Sequence, residues 1–412
     1  MRLIRRDPDV VRTALSRRGA GATETVDRVL ELDEQWRAVT TQLEQLRSEQ
    51  NAASKALKGA PSPEQREQLA ELSARGRALS DDETRLRSKR DAALTSLPNL
   101  PSDDAPDQDT VLKEVGEGKP SGRDHLELAG SRIDMERGAR LSGSRFAYLR
   151  GDLVLLELAL VRYAMEKVGR EGFEPVIPPV LVREQALYGT GFLPDTEQQI
   201  YQLPDDDLYL VGTSEVALAS MHREEILAAG ELPLRYAGFS SCFRREAGSA
   251  GKDTRGIFRV HQFDKVEMFC FVEPDTAGAE HERLLAIEES IMQDLEIPYR
   301  VVAIAVDDLG ASAASKFDIE AWLPGQGRYR ELTSTSNTTD YQARRLDIRY
   351  RPGDGKPAHV ATLNGTAVAV GRTIIALLEN GQREDGSVAL PAVLAGFGAP
   401  EVLPAAPGLS SA

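Results

Sequence analysis

Cysteine is nearly absent from this chain: Cys242 and Cys270 are the only two, and the five histidines are dispersed at 125, 222, 261, 281 and 359. No CxxC or HxxxH pair occurs, so neither a disulfide framework nor a structural zinc site is expected, and the thiols read as small core residues. Long apolar runs are missing too. None reaches the roughly 18 residues of a membrane span, and Met1 leads into RLIRRDPD, which lacks the apolar core of a signal peptide, so a cytoplasmic location is expected. Two common phosphate-binding signatures, GxxxxGKS/T and GxGxxG, are also absent, which excludes the architectures built on them.

What remains is a soluble globular composition, 41% hydrophobic and 28% charged over 412 residues, enough for two or three domains. The net charge of −15 would argue against a polyanionic partner, but its distribution does not. Residues 1–100 carry 18 Lys+Arg against 16 Asp+Glu, whereas residues 101–412 carry 32 against 49. The first hundred residues are therefore the expected docking place for a polyanion.

In that first segment Val29, Leu32, Trp36, Val39, Leu43 and Leu46 alternate spacings of three and four, a heptad seam on one helix. After the turn-forming KGAPSP (Lys58 to Pro63), Leu72, Leu79, Leu86 and Ala93 recur every seven residues, with Leu69 and Leu97 on the same stripe. The pattern predicts an antiparallel two-helix coiled coil over about 27–97, roughly 45 Å long at 1.5 Å per residue. Such a rod serves either as a dimerisation element or spacer, or as an arm along a large partner. In the second case Arg37, Arg47, Lys55, Lys58, Arg66, Arg75 and Arg77 would be its phosphate contacts.

LPNLPSDDAPDQD (Leu97 to Asp109) reads as the start of a linker over 101–120, because its prolines and aspartates oppose regular structure. Beyond it a helical stretch, Asp152 to Gly172, precedes FEPVIPPVLV, whose three prolines suit a sheet edge or an interface. Strand-like runs at Leu208–Gly212, Glu267–Val272 and Arg300–Val306 alternate with helices. The fold class expected is α+β, a mostly antiparallel sheet flanked by helices, with a loosely ordered tail over 398–412.

Three stretches carry chemistry. CFRREAGSAGKDTRGIFRVHQFDKVE (Cys242 to Glu267) reads as a hairpin placing Arg244 and Glu246 on one face of its first strand, and Arg259 and Phe263 on one face of its second. Cations, a carboxylate and a flat ring suit a phosphate and a stacked base, although a solvated face with cross-strand ion pairs has the same pattern. YRELTSTSNTTDYQARR (Tyr329 to Arg345) offers Glu331 and Ser334 as hard oxygen ligands for a Mg²⁺ that also touches phosphates, or else plain turn and cap chemistry. HVATLNGTAVAVGRTIIALLEN (His359 to Asn380) passes from a small-residue strand through Gly371 to Arg372 at a helix start, a place suited to a terminal phosphate. Together the three converge on a triphosphate with its metal.

These stretches, with the N-terminal hairpin, DHLELAG, SGSRFAYLRGD, GFEPVIPPVLV and GTGFLP, resemble bacterial seryl-tRNA synthetase in chain order over nearly the whole sequence. The resemblance implies a helical tRNA-binding arm over 1–100 and a class II catalytic domain over 121–397. Motif 1, a dimer-interface element, would fall at about 152–181, motif 2 at about 239–269 and motif 3 at about 359–380. ATP with Mg²⁺ would be bound by Arg244, Arg245, Glu246, Arg259, Val260, Phe263, Glu331, Leu332, Thr333, Ser334 and Arg372, with the metal on Glu331 and Ser334. L-Serine would be held by Thr213, Ser214 and Glu215 of GTSE with Arg244, Glu267, Asn364 and Thr366. The catalytic residues implied are Arg244, Glu331 and Arg372, in a homodimer acting on tRNA(Ser) and on tRNA(Sec) where one exists. Thr366-Ala367 stand where the family more often has Ser-Gly, and Thr335 where Cys is frequent, with Ala367 expected near the pocket. Those departures leave an alternative: a paralog with an accessory role, in inhibitor resistance or in activating an amino acid for a non-tRNA acceptor.

Overall fold

The computed structural model describes residues 1–56, 62–194, 199–228, 230–247, 253, 255–353 and 355–407. They fall into two compact units, Met1–Pro101 and Ser102–Ala412.

In the first unit two short helices, Arg2–Arg6 and Pro8–Ser16, precede the long pair α1 (Ala20–Lys55) and α2 (Pro63–Ser96). The seam is the one the heptads predict: Val29, Leu32, Leu43 and Leu46 of α1 and Leu72 and Leu86 of α2 are buried. Ile4, Val11, Leu15, Val26 and Leu97 close a small core at the base. α2 starts where Ser62 and Gln65 form a reciprocal capping box ahead of Pro63, which fixes its first turn. Most of the expected turn, including Lys58, lies outside the described residues. Arg37, Arg47, Lys55, Arg66, Arg75 and Arg77 are exposed. Heptads do not reveal the fully buried Asp33, whose carboxylate accepts from Arg5 at 2.8 and 2.7 Å, Arg37 at 3.1 Å and Arg90 at 3.4 Å. A lone buried carboxylate would be costly, and three guanidiniums offset that cost while tying both helices to the base.

The second unit is built on one eight-stranded sheet. In chain order its strands are β1 (Thr110–Val115), β2 (Glu174–Val176), β3 (Leu234–Phe243), β4 (Gln262–Val272), β5 (Tyr299–Ala303), β6 (Ser315–Leu323), β7 (Arg328–Asn337) and β8 (Ala361–Ala369). Their spatial order is β1-β5-β6-β7-β8-β4-β3-β2, antiparallel except for the β2–β3 pair. Pro175 sits on β2, the sheet edge, where its missing N–H costs no ladder bond.

Helices α3 (Asp152–Arg170), α4 (Ala277–Asp294) and α5 (Val370–Gly381) form one apolar core with Val266, Met268, Cys270 and Val272 of β4. Further along the strand Phe269 and Phe271 join a second cluster with the helices Glu215–Ala219 and Tyr341–Leu346. Among the described residues no helix is long and apolar enough to cross a membrane.

Two expectations need correction. The segment read as a linker contains β1, which pairs with β5 and covers its edge. Five of its six residues are exposed, so it is held by the backbone ladder and shows no apolar alternation to read. The segment read as a loose tail is ordered through residue 407: Val402–Leu403 pairs with Val388–Ala389, and Leu403 and Ala406 are buried. Residues 408–412 lie outside the described ones.

Candidate active site

β4, β6, β7 and β8 floor a cleft of about 280 Å³. Period-two alternation alone would not place its residues, since Glu331 and Ser334 are three apart and should face opposite ways. A β-bulge resolves this: β7 spends two steps, Glu331 to Thr333, against one step of β6, Glu320 to Ile319. Glu331, Leu332 and Ser334 then all line the cleft. A second bulge, where Val266–Glu267 of β4 faces Val368–Thr366 of β8, leaves Ala367 as the extra residue. It lets Asn364, Thr366 and Ala369 line the same cleft.

One end of the cleft is cationic. The expected alternation of the Cys242–Glu267 hairpin ends early, with β3 stopping at Phe243 and β4 starting at Gln262. Arg244, Glu246 and Arg259 sit on irregular backbone, and Glu246 has φ of 51° in the left-handed region. The legs stay joined because Arg244 N donates to His261 O at 3.0 Å. Arg244 Nε donates to Gly212 O at 3.1 Å, with its guanidinium 5.2 Å from the Phe263 ring. Arg259 Nη1 donates to Glu246 Oε2 at 2.6 Å. Arg372, in the first turn of α5, donates to Glu331 O at 2.9 Å and lies 3.3 Å from Glu331 Oε1. Phe258 is flanked by Arg330 at 3.7 Å and Arg372 at 4.6 Å. Burial would raise the Glu331 carboxyl, but Arg372, Lys316 and Arg244 outweigh it and hold the group below its ordinary range.

The other end is compact and shielded from solvent. Thr213, Glu215, Lys265, Glu267, Asn364 and Thr366 are all buried. Glu215 Oε1 accepts from Gln342 Nε2 at 2.7 Å and from Asn364 Nδ2 at 3.0 Å. Burial first, and the nearby Glu267 second, push the Glu215 carboxyl up to about 7. Arg244 acts on both Glu215 and Glu331, so it stands between the two ends.

The N-terminal residues 1–101 match the family described as seryl-tRNA synthetase N-terminal domain, and residues 199–381 match the tRNA synthetase class II core domain (G, H, P, S and T). A serine–tRNA ligase of Thermobifida fusca is 52% identical over 98% of each chain. The chain belongs to the seryl-tRNA synthetase family. Among solved members, seryl-tRNA synthetase of Pyrococcus horikoshii complexed with ATP is 41% identical, with TM-score 0.92 over 98% of this chain and 99% of that one. The cytoplasmic enzyme of Naegleria fowleri in complex with AMP is 32% identical, with TM-score 0.87 over 97% and 96%.

Of the residues that the family resemblance singles out, three lie away from the cleft. Ser214 is fully buried at the start of the helix Glu215–Ala219 and packs toward Gly238. Arg245 is exposed, its N donating to Gln199 O at 2.8 Å. Thr333 points through the sheet to α4, where its Oγ1 donates to Glu288 Oε2 at 2.7 Å. Ala367 also leaves the pocket: it is fully buried in the helix-side core. Thr335 Oγ1 donates to Asn364 O at 2.9 Å and so braces a pocket residue from behind.

The cleft residues that the sequence did not single out include the polar Lys265, Lys316 and Ser336 and the apolar Phe192, Ile257, Phe258 and Ala369. Two of them had a signal in strand alternation: Lys265 is two residues from both Phe263 and Glu267, and Ser336 is two residues from Ser334. The oxygens of Glu331 and Ser334 form a hard donor set facing one cleft, with Asp318 across the ladder from Ser334. Among the described residues no group of three or more His, Cys, Asp or Glu could hold an ion. A pair of protein oxygens fits Mg²⁺, which keeps waters and takes its remaining ligands from substrate phosphates.

Proposed function

We propose that this chain is a serine–tRNA ligase that activates L-serine with ATP to seryl-adenylate. It then transfers the seryl group to the 3′ end of tRNA(Ser), and of tRNA(Sec) where one exists. The carrying observation is the union in one cleft of a cationic end, Arg244, Arg259 and Arg372, with the small polar end around Glu215 and Glu267.

Serine's carboxylate is already ionised at neutral pH, so the first step needs positioning and charge stabilisation, not a strong base. A carboxylate oxygen bonds to the α-phosphorus while the bond from that phosphorus to the pyrophosphate oxygen breaks, and pyrophosphate leaves with the electron pair. Arg244, between the two ends, holds both the α-phosphate and the carboxylate. Arg259 and Arg372 take the outer phosphates, Glu246 meets the adenine amino group and Phe263 stacks on the ring. Mg²⁺, when bound by Glu331 and Ser334, neutralises phosphate charge. In the second step a ribose hydroxyl of the tRNA attacks the seryl carbonyl carbon, the bond from that carbon to the AMP phosphate oxygen breaks, and AMP leaves with the electron pair while the hydroxyl proton passes to the departing phosphate. Glu215 receives the substrate ammonium and Glu267 the hydroxyl, which penalises alanine and glycine because they leave that carboxylate unmatched.

The paired helices α1 and α2 favour a tRNA acceptor over a carrier protein, and Ala367, buried behind the sheet, gives an altered pocket no support. Exposed Val154, Leu155 and Leu158 on α3 and Ile177 just beyond β2 favour the homodimer, checked by light scattering. ATP–pyrophosphate exchange with serine, threonine, alanine and glycine tests activation: exchange with serine alone is expected, and exchange with none would reject the reading. Replacing Arg47, Arg75 and Arg77 with Ala should weaken tRNA charging several-fold while leaving exchange intact.

A further inference from the structure

Lys265 has no part in the activation chemistry above, although it is the only buried lysine among the described residues, at 7% exposed. Lysine is rarely buried without a partner, because removing its ammonium from water is costly. Here Nζ donates to Thr213 Oγ1 at 2.8 Å and pairs with the Glu267 carboxylate two residues along β4. Lys265 therefore touches two of the groups that enclose the amino-acid end.

The local charges close around it. Two carboxyl groups, Glu215 and Glu267, face Lys265 of the same strand region and Arg244 at the end of β3. Under the sheet, Glu288 of α4 adds a third carboxyl close to Glu267. An amino-acid zwitterion brings one ammonium and one carboxylate. Arg244 matches the carboxylate and Glu215 the ammonium, which leaves Glu267 and Lys265 to balance each other. Without Lys265, Glu267 would lose the cation it pairs with and would compete with Glu215 for the ammonium.

We infer that Lys265 is a specificity-determining positioning residue: by pairing with Glu267 and bonding Thr213, it holds the Glu267 carboxylate aimed into the cleft, ready to accept a substrate hydroxyl. It acts through Glu267, not on the reacting atoms. The inference rests on the serine-activation reading.

The test is ATP–pyrophosphate exchange by the full chain and its variants, with serine and alanine, from pH 6 to 9. Lys265→Met should raise KM for serine by at least about tenfold with KM for ATP unmoved, and should cut the serine-over-alanine ratio of kcat/KM by a similar factor. The acidic limb of the serine profile should move to higher pH, since Glu215 loses a neighbouring cation. Lys265→Arg should recover part of the preference. A Lys265→Met variant with the parent's serine KM, preference and pH profile would overturn the inference. If that variant does not fold, Lys265→Gln keeps a polar side chain beside Thr213 and removes only the charge. Lost serine preference in that variant supports the inference, and full preference overturns it. Failure of the unaltered chain to exchange with serine would reject the activation reading itself, whereas parental exchange with an unaffected Lys265→Met rejects only this inference.

Discussion

The two faces of β4 are built from neighbouring residues and do opposite work. Val266, Met268, Cys270 and Val272 enter the core with α3, α4 and α5, while Lys265 and Glu267, interleaved with them, line the cleft. Both sets are buried, so exposure does not separate them. The separation is chemical: the helix side gains stability from apolar burial, whereas the cleft side holds charges whose desolvation weakens the fold and readies the site for a polar ligand. One strand thus carries a stabilising face and a face that the first must compensate.

The sharpest way to break that division is on the cleft side. Arg244→Ala should lower exchange by about 10²–10³-fold, the usual effect of removing one preorganised donor, with little change in thermal unfolding. On the helix side the outcome should invert. Met268→Ala should cost about 2–5 kcal/mol in urea denaturation, because a fully buried side chain leaves a cavity, while the folded fraction keeps the parent KM for serine.

Gly365 tests the point where the faces nearly touch. A Cβ there would lie 2.8 Å from Glu288 Oε1 and 3.2 Å from Thr335 Oγ1. Gly365→Ala should therefore cost about 1–3 kcal/mol and also raise KM for serine, since both neighbours brace the pocket floor.

The smallest effect is one of pH. A protonated Glu215 cannot attract an ammonium, so its carboxyl at about 7 predicts that kcat/KM for serine falls as pH drops below that value, by about tenfold per unit at the limit. The sign follows from binding to the ionised form, which releases a proton. Glu215→Gln should flatten this limb while lowering the plateau.

Much of this was legible in the residues. The coiled-coil seam follows from 3-4 spacing because a helix repeats its face regardless of what lies elsewhere. Pro175 marked a sheet edge for a similarly local reason, its missing N–H. The cations Arg244, Arg259 and Arg372 stood out as misfits in otherwise strand-like or small-residue stretches. β1 did not stand out, because an exposed edge strand needs only a ladder partner, and its partner β5 begins at Tyr299.

The chain's own order thus determined the local periods, the family to which it belongs and the residue types available for chemistry. Tertiary structure decided which of them meet. The bulges at Leu332 and Ala367 reset the parity of β7 and β8, turning Ser334 and Glu331 into one cleft and sending Thr333 and Ala367 behind it. Lys265 met Thr213, 52 positions away, only after β4 was seated. A side chain's face depends on the register of its strand against its neighbours, and register is a property of the assembled sheet.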